Sequence, residues 1–376
     1  MNLLPAGFYD VLSPDAESEA AATQTLLAVF AENGYGRVAP PIMEFEETLL
    51  SGPGASLNRT TFRVMDPNSQ RMLACRSDHT LQIGRIAATR LSTAPRPLRL
   101  SYAGPILRIT GHEQNHARQV TQVGAEIIGS LDAEADAEVI LLAMQSLARI
   151  GVTGVALDIT LPTLIPSICE AFHVEGDARA KLHAALDRKN EALVQGLGKT
   201  AGMEKACALA VGLLRASGDA GDALAALAAM DLPEKAALDR TRLQRVYDLL
   251  PHDLRSTMTV DLVEYRGFEY QTGLSFALFS KAIRAELGRG GRYRTATNEP
   301  ATGFTFYAES LMPVLPRAKP RARILVPFDT APAQTAALVK EGYVVLRNLS
   351  KDTDLTAEAK RQACHVIYEN NKAKMI

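Results

Sequence analysis

Between Leu262 and Tyr293 the chain sets two clusters of arginine, glycine and aromatic residues, Arg266-Gly-Phe-Glu-Tyr270 and Gly290-Gly-Arg-Tyr293, on either side of an apolar span. The run to Phe279 is β-type, a short helix-like piece follows, and paired glycines open the second cluster. This pattern restricts the fold because glycine pairs admit close backbone approach, and planar guanidinium groups beside aromatic edges can surround a small ligand. Arg266 with Tyr270, and Arg292 with Tyr293, would frame such a pocket. The same residues are equally compatible with two plain strands joined by a helix, glycines as turns and arginines in solvent.

The preceding segments alternate helix and strand signals. Asp15 to Asn33 carries Leu26, Leu27, Val29 and Phe30 at helical spacing and stops at Asn33-Gly34, a good helix end. Tyr35 to Phe45 reads as one strand, and Pro40-Pro41 confines it to an edge or an interface. Thr61 to Asp66 and Arg71 to Arg76 read as a hairpin around Pro67-Asn-Ser. Thr80 to Leu91 is helical; Leu98 to Arg108 and Gln119 to Ile128 are strands around the polar loop Thr110 to His116; Ala133 to Arg149 is helical.

Residues of about 163–250 are rich in alanine and leucine and broken by glycines, which marks a helical insertion whose apolar stripes form a small core. Strand signals return at Met258 to Val263, Thr272 to Phe279 and Thr302 to Phe306. Pro313 to Arg323 has the composition of a linker, and strands and helices alternate beyond it. A chain of 376 residues exceeds what one core usually serves. The expected organisation is a core over 1–318 and a small α/β unit over 319–376.

A net charge of -1 gives no overall basic field for nucleic acid. The four cysteines form no Cys-x-x-Cys pair, so no metal ribbon is expected. His112 and His116 stand four apart, but Gly111 and the polar neighbours suggest a loop rather than a metal-binding helix. No cofactor motif is evident. The N-terminal residues lack a charged leader with an apolar core, and no run of about 18 apolar residues occurs, so a cytoplasmic protein that does not enter a membrane is expected.

Polar residues that would be odd in plain strands supply the candidate chemistry. They fall at Arg76-Ser-Asp78-His-Thr80, at Arg108 and at Arg118 to Glu126. Gln122, Gly124 and Glu126 share one strand face, and an amide and a carboxylate there suit an α-ammonium group. The plain alternative is a polar strand face meeting solvent.

Over residues 1–312 these segments resemble histidyl-tRNA synthetases in content and order. Arg76-Ser-Asp-His-Thr80 is similar to that family's Arg-Pro-Glu-Gly-Thr, and Tyr102-Ala-Gly-Pro-Ile-Leu-Arg108 is similar to its second class II segment. Arg266 to Tyr270 and Gly290 to Tyr293 resemble its two histidine signatures, with Phe268, Glu269 and Gln271 departing from the usual leucine, aspartate and tyrosine. The resemblance implies an α+β fold: a class II synthetase-like antiparallel sheet with flanking helices, in which the proline-bearing strand serves a dimer interface. It also implies that Asp78, Thr80, Gln122 and Glu126 hold the amino group of histidine. Arg108 and Arg266 face the carboxylate or phosphate side, and Tyr270 and Tyr293 line the side-chain pocket.

The departures point away from synthesis. The third class II segment, Gly-x-x-x-Gly-x-Glu-Arg, reads here Gly303-Phe-Thr-Phe-Tyr307-Ala-Glu309-Ser310, so serine replaces the arginine and tyrosine a glycine; Thr110 stands where the second segment has a glutamate. Losing a fixed cation from a phosphate site costs several powers of ten in rate. A synthetase-like chain without its nucleotide clamp resembles the regulatory subunits of ATP phosphoribosyltransferase. That family implies a non-catalytic subunit that works with a short-form catalytic chain in the first step of histidine biosynthesis, with histidine as feedback effector. The alternatives are an active histidyl-tRNA synthetase or another amino-acid-adenylating enzyme.

Overall fold

The computed structural model describes the chain apart from residues 1–2, 51–58, 112–115, 266–270, 284, 317–320 and 351–353. It falls into two compact units, Met1–Pro316 and Arg317–Ile376. The strands, in chain order, are β1 (Gly36–Arg37), β2 (Met43–Phe45), β3 (Arg63–Met65), β4 (Met72–Cys75), β5 (Leu98–Leu107), β6 (Gln119–Ile128), β7 (Val155–Thr160), β8 (Gly218–Asp219), β9 (Thr259–Asp261), β10 (Ser275–Ser280), β11 (Ala285–Arg294), β12 (Pro300–Tyr307), β13 (Arg323–Val326), β14 (Val344–Arg347), β15 (Val366–Glu369) and β16 (Lys372–Met375).

The first unit is built on a nine-stranded sheet ordered β1-β5-β6-β12-β11-β10-β7-β9-β8. Its middle, β5 to β7, is antiparallel throughout. Helices Asp15–Glu32 and Ala133–Arg149 bury their apolar stripes on one face, where Phe30 meets Phe304 edge-on at 5.6 Å. The other face carries the cleft described below.

Two sequence expectations change. The expected strand Tyr35 to Phe45 splits: β1 pairs in parallel with β5 at the sheet edge, while β2 joins β4 and β3 in a separate small sheet. The reason is local. Pro40 and Pro41 have no N–H to offer a ladder, and their carbonyls accept instead from Arg76 Nη1 at 2.8 Å and Gln82 Nε2 at 2.8 Å. The helix-like piece after Phe279 is likewise absent among the described residues. A turn is described over 281–283 and the ten-residue β11 begins at Ala285, so Gly288, Gly290 and Gly291 are strand residues rather than turns. They are small because a Cβ at Gly288 or Gly290 would overlap Phe306 or the Gly303 carbonyl.

The insertion forms six helices between Leu164 and Leu249, with Asn190 and Asp219 side chains capping two of them. Its leucine and alanine stripes pack into the same core as the sheet, and β8 extends the sheet edge by pairing with β9. The second unit is a four-stranded sheet ordered β14-β13-β15-β16, parallel except for β16. Helices Pro332–Lys340 and Leu355–Arg361 supply its two small apolar clusters. Among the described residues no helix is long and apolar enough to cross a membrane.

Candidate functional site

Strand pairing sets Glu126 of β6 opposite Gly303 of β12, and Gly124 opposite both Tyr102 of β5 and Thr305 of β12. Large side chains therefore stand over glycines on neighbouring strands. A Cβ at Gly303 would overlap Glu126 Oε2, and one at Gly124 would overlap Tyr102 Oη. The vacancies let a carboxylate and a phenol lie almost flat on the sheet at the floor of a cleft of about 560 Å³.

These side chains close a hydrogen-bonded ring. Thr80 Oγ1 donates to Glu126 Oε1 at 3.2 Å and Tyr102 Oη donates to the same oxygen at 3.3 Å. Tyr102 Oη lies 2.7 Å from Thr305 Oγ1, which accepts from Gln122 Nε2 at 3.1 Å. Gln122 Nε2 also donates to Asp78 Oδ1 at 3.2 Å, and Thr80 N–H returns to that oxygen at 2.7 Å. Two carboxyl groups are thus held at fixed positions by neutral donors from three segments. Glu126 is 2% exposed. Burial, then the neighbouring Asp78 charge, raise its pKa to about 8, against the pull of hydrogen bonds from Tyr293, Thr80 and Tyr102.

At the other end of the cleft, Arg108 Nη2 donates to the Tyr307 hydroxyl at 2.7 Å, with its guanidinium 4.8 Å from that ring's centroid. Arg289 makes a two-pronged pair with Glu286 at 2.7 and 2.6 Å. Glu309 is pushed up to about 7, mainly by burial. Among the described lining residues the ionisable groups are the carboxyls of Asp78, Glu126, Glu286 and Glu309 and the guanidinium groups of Arg108 and Arg289, with Glu126 and Glu309 holding their protons up to about pH 8 and 7. Arg289 is paired with Glu286, and Arg108 gives one of its donors to the neutral Tyr307 hydroxyl. The Asp78–Glu126 end of the cleft suits a cation.

Of the residues singled out from sequence, Asp78, Thr80, Arg108, Glu126 and Tyr293 line this cleft together. Gln122 does not: it is fully buried behind the wall, its amide spent inside the protein. Arg266 and Tyr270 lie outside the described residues, as does His112. Arg292 is a correction. Adjacent strand residues face opposite sides, so Tyr293 reaches the cleft while Arg292 points into the helix layer. There it contacts Asp136 at 3.0 Å and donates to the carbonyls of Ser130 and Asp132. Tyr102, Thr305 and His79 were missed. Their signal was the period-two alternation of β5 and β12 against β6, visible once the register is known. Among the described residues no group of three or more His, Cys, Asp or Glu is arranged to hold a metal ion.

Gly303→Ala tests this floor. With nowhere to move except through the ring, the methyl must displace Glu126 or separate β12 from β6. The expected loss of stability is at least about 2 kcal/mol, read as a shift of the denaturant midpoint, whereas Gly196→Ala, at an open position inside a helix, serves as the mild control.

The histidyl-tRNA synthetase family profile matches residues 7–311. The ATP phosphoribosyltransferase regulatory subunit of Rhodospirillum centenum is 48% identical, covering 100% of this chain and 97% of its own. That of Paramagnetospirillum magneticum is 49% identical over 96% and 94%. Among solved structures, an ATP phosphoribosyltransferase regulatory subunit/histidyl-tRNA synthetase from Bacillus halodurans superposes with a TM-score of 0.80 at 24% identity, covering 96% of each chain. Histidyl-tRNA synthetase from Nostoc superposes at 0.78 and 16% identity, over 98% of this chain and 91% of that one. The structural likenesses establish a class II synthetase fold, and the full-length sequence relatives narrow it: the chain belongs to the ATP phosphoribosyltransferase regulatory subunit family.

Proposed function

We propose that this chain is the regulatory subunit of an ATP phosphoribosyltransferase, without catalysis of its own. It works with a short-form catalytic chain in the first step of histidine biosynthesis, and histidine in its cleft is the feedback effector. The observation that carries the reading is the Arg108–Tyr307 contact. The arginine that would meet a nucleotide phosphate is held by a tyrosine standing where the synthetases have glycine, and Ser310 supplies no second cation. The residues proposed for the amine end, Asp78, Thr80 and Glu126, line one cleft.

Each cleft residue then has a part. Asp78 and Glu126 accept from the α-ammonium of histidine, with Thr80 tying the two carboxyls together. Arg108 meets the carboxylate and Tyr293 bounds the imidazole pocket, and the resemblance to the synthetases gives Arg266 and Tyr270 the matching roles. Regulation follows by linkage: histidine stabilises whichever state of the complex binds it better, by the ratio of its affinities for the two states. The complex works in the cytoplasm, and the β1 edge and its proline-bearing extension serve a symmetric dimer. Neither nucleic acid nor a metal takes part in this chain's role.

Reconstitution tests the partner claim. Mixing this chain with a short catalytic chain from the same source should raise phosphoribosyl transfer from near background by at least about tenfold, and histidine should suppress it. A catalytic chain equally active alone would end the reading.

A further inference from the structure

Gln122 departs furthest from the role that resemblance gives it. Its oxygen accepts from the His79 backbone N–H at 2.9 Å and lies 2.8 Å from His79 Nδ1, while its nitrogen donates to Asp78 Oδ1 and Thr305 Oγ1. A carboxamide offers two donor hydrogens and two acceptor lone pairs. All four are used within the protein, and nothing remains for a ligand ammonium.

We propose that His79 is a positioning residue of the amino-acid site: by capturing the Gln122 oxygen it turns the amide's NH2 onto Asp78, so that Asp78, Glu126 and Thr80 alone meet the ligand's ammonium. This deepens the proposed histidine-binding role of the cleft and rests on it. His79 is completely buried and lies flat on Tyr102, ring centroids 4.8 Å apart and planes 11° from parallel. Its orientation is therefore fixed by the same phenol that reaches Glu126 and Thr305. Donation to the Gln122 oxygen requires the hydrogen on Nδ1, the neutral tautomer whose Nε2 bears no proton. Burial, and next the charge of Arg76, bring its pKa down to about 4, so the ring stays neutral. The space it needs is kept by Gly104, where an added Cβ would come 2.8 Å from Arg76 Nη2 and 3.4 Å from His79 Nε2.

The arrangement also accounts for the short side chain at position 78. Aspartate reaches one methylene less far than the glutamate of the similar synthetase segment. Two donors, Thr80 N–H and Gln122 Nε2, both hold its Oδ1. A carboxylate fixed on one oxygen presents the other to the cleft.

Calorimetry on the full chain with three probes separates positioning from plain structure: histidine, histidinol, which has the amine without the carboxylate, and imidazolepropionate, which has the reverse. His79→Ala should weaken histidine and histidinol by about tenfold and leave imidazolepropionate within about twofold. His79→Asn, whose Nδ2 can stand in for Nδ1–H, should recover most of the loss. Equal weakening of all three probes would make His79 merely structural, and an unchanged amine affinity in folded His79→Ala would overturn the proposal. Nitrogen NMR on the unliganded wild-type chain gives a ligand-independent answer. Protonated Nδ1 with bare Nε2, constant between about pH 5 and 8, is expected, and an Nε2-protonated ring or a midpoint near 6.5 would refute it. Failure of wild-type protein to bind histidine would instead strike the functional reading, and the NMR result would still decide how His79 is oriented.

Discussion

Glu126→Gln is expected to weaken histidine binding about a hundredfold near pH 8.5 and, at the same pH, to make the unliganded protein more stable. The two effects share one cause. In the empty cleft Glu126 keeps its proton to about pH 8 because it is buried beside Asp78. An arriving ammonium favours the carboxylate, so binding expels the proton and the affinity of wild-type protein should climb with pH by up to about tenfold per unit below 8. The useful window is about pH 7 to 8.5, above the titration of the ligand's own imidazole. Glutamine cannot ionise, so the variant should show a flat profile and no proton release in buffers of different ionisation enthalpy. The lost charge-assisted bonds, about 1.5 to 3 kcal/mol each, set the size of the drop. For stability the sign follows from the same shift. The folded group titrates at about 8 against an ordinary 4.5, so the stability it lends is complete below 4.5 and lost as pH rises through 8. At about 1.4 kcal/mol per pH unit between those two values, the gap between variant and wild type should approach about 5 kcal/mol at pH 8.5. A variant that binds histidine as tightly as wild type, with the same slope, would move the amine elsewhere.

Asp136→Ala should cost the first unit about 3 to 5 kcal/mol, a fall in melting temperature of roughly 10 °C. Asp136 is 1% exposed and accepts from Arg292, itself 4% exposed, and from Arg242 of the helix Glu234–Leu249 at 3.1 Å. Its removal leaves two guanidinium groups facing one another without the carboxylate they share, one of them deeply buried. The pairing also ties the helical insertion to β11, one residue from Tyr293 of the cleft. Replacing both Asp136 and Arg292 by apolar residues of similar size should recover most of the stability, because the penalty arises from an unpaired charge rather than from a missing bond. Thermal melts of the single and double variants check this, and a single variant within about 1 kcal/mol of wild type would show that solvent reaches the arginines.

The period of the sequence revealed most of the architecture. Alternation along 98–128 predicts the β5–β6 hairpin, and helical spacing predicts Asp15–Glu32 and Ala133–Arg149 to within a few residues. The Tyr35 to Phe45 segment failed in a specific way: prolines announce that a ladder is broken, but not that Arg76, far along the chain, collects the carbonyls. Arg292 failed for another reason. A motif places neighbouring residues at one site, while the strand pleat sends them to opposite faces, and the glycines before it read as turns although they make room for Phe306 and Gly303. Within the site, Asp78, Thr80 and Glu126 were singled out because their segments resemble synthetase motifs, Glu126 also by its strand face, and the structure brings them to one cleft. His79, Tyr102 and Thr305 were not, since a buried ring of hydrogen bonds depends on cross-strand register that no local pattern encodes.

The central claim is that a cleft shaped for an amino acid has lost its hold on ATP. Histidine-dependent exchange of labelled pyrophosphate into ATP tests it directly, with the full chain, saturating histidine and Mg-ATP. No exchange above background is predicted, because Tyr307 holds Arg108 and Ser310 offers no cation. Exchange at a rate typical of a synthetase would show that triphosphate is gripped after all, and would contradict the account.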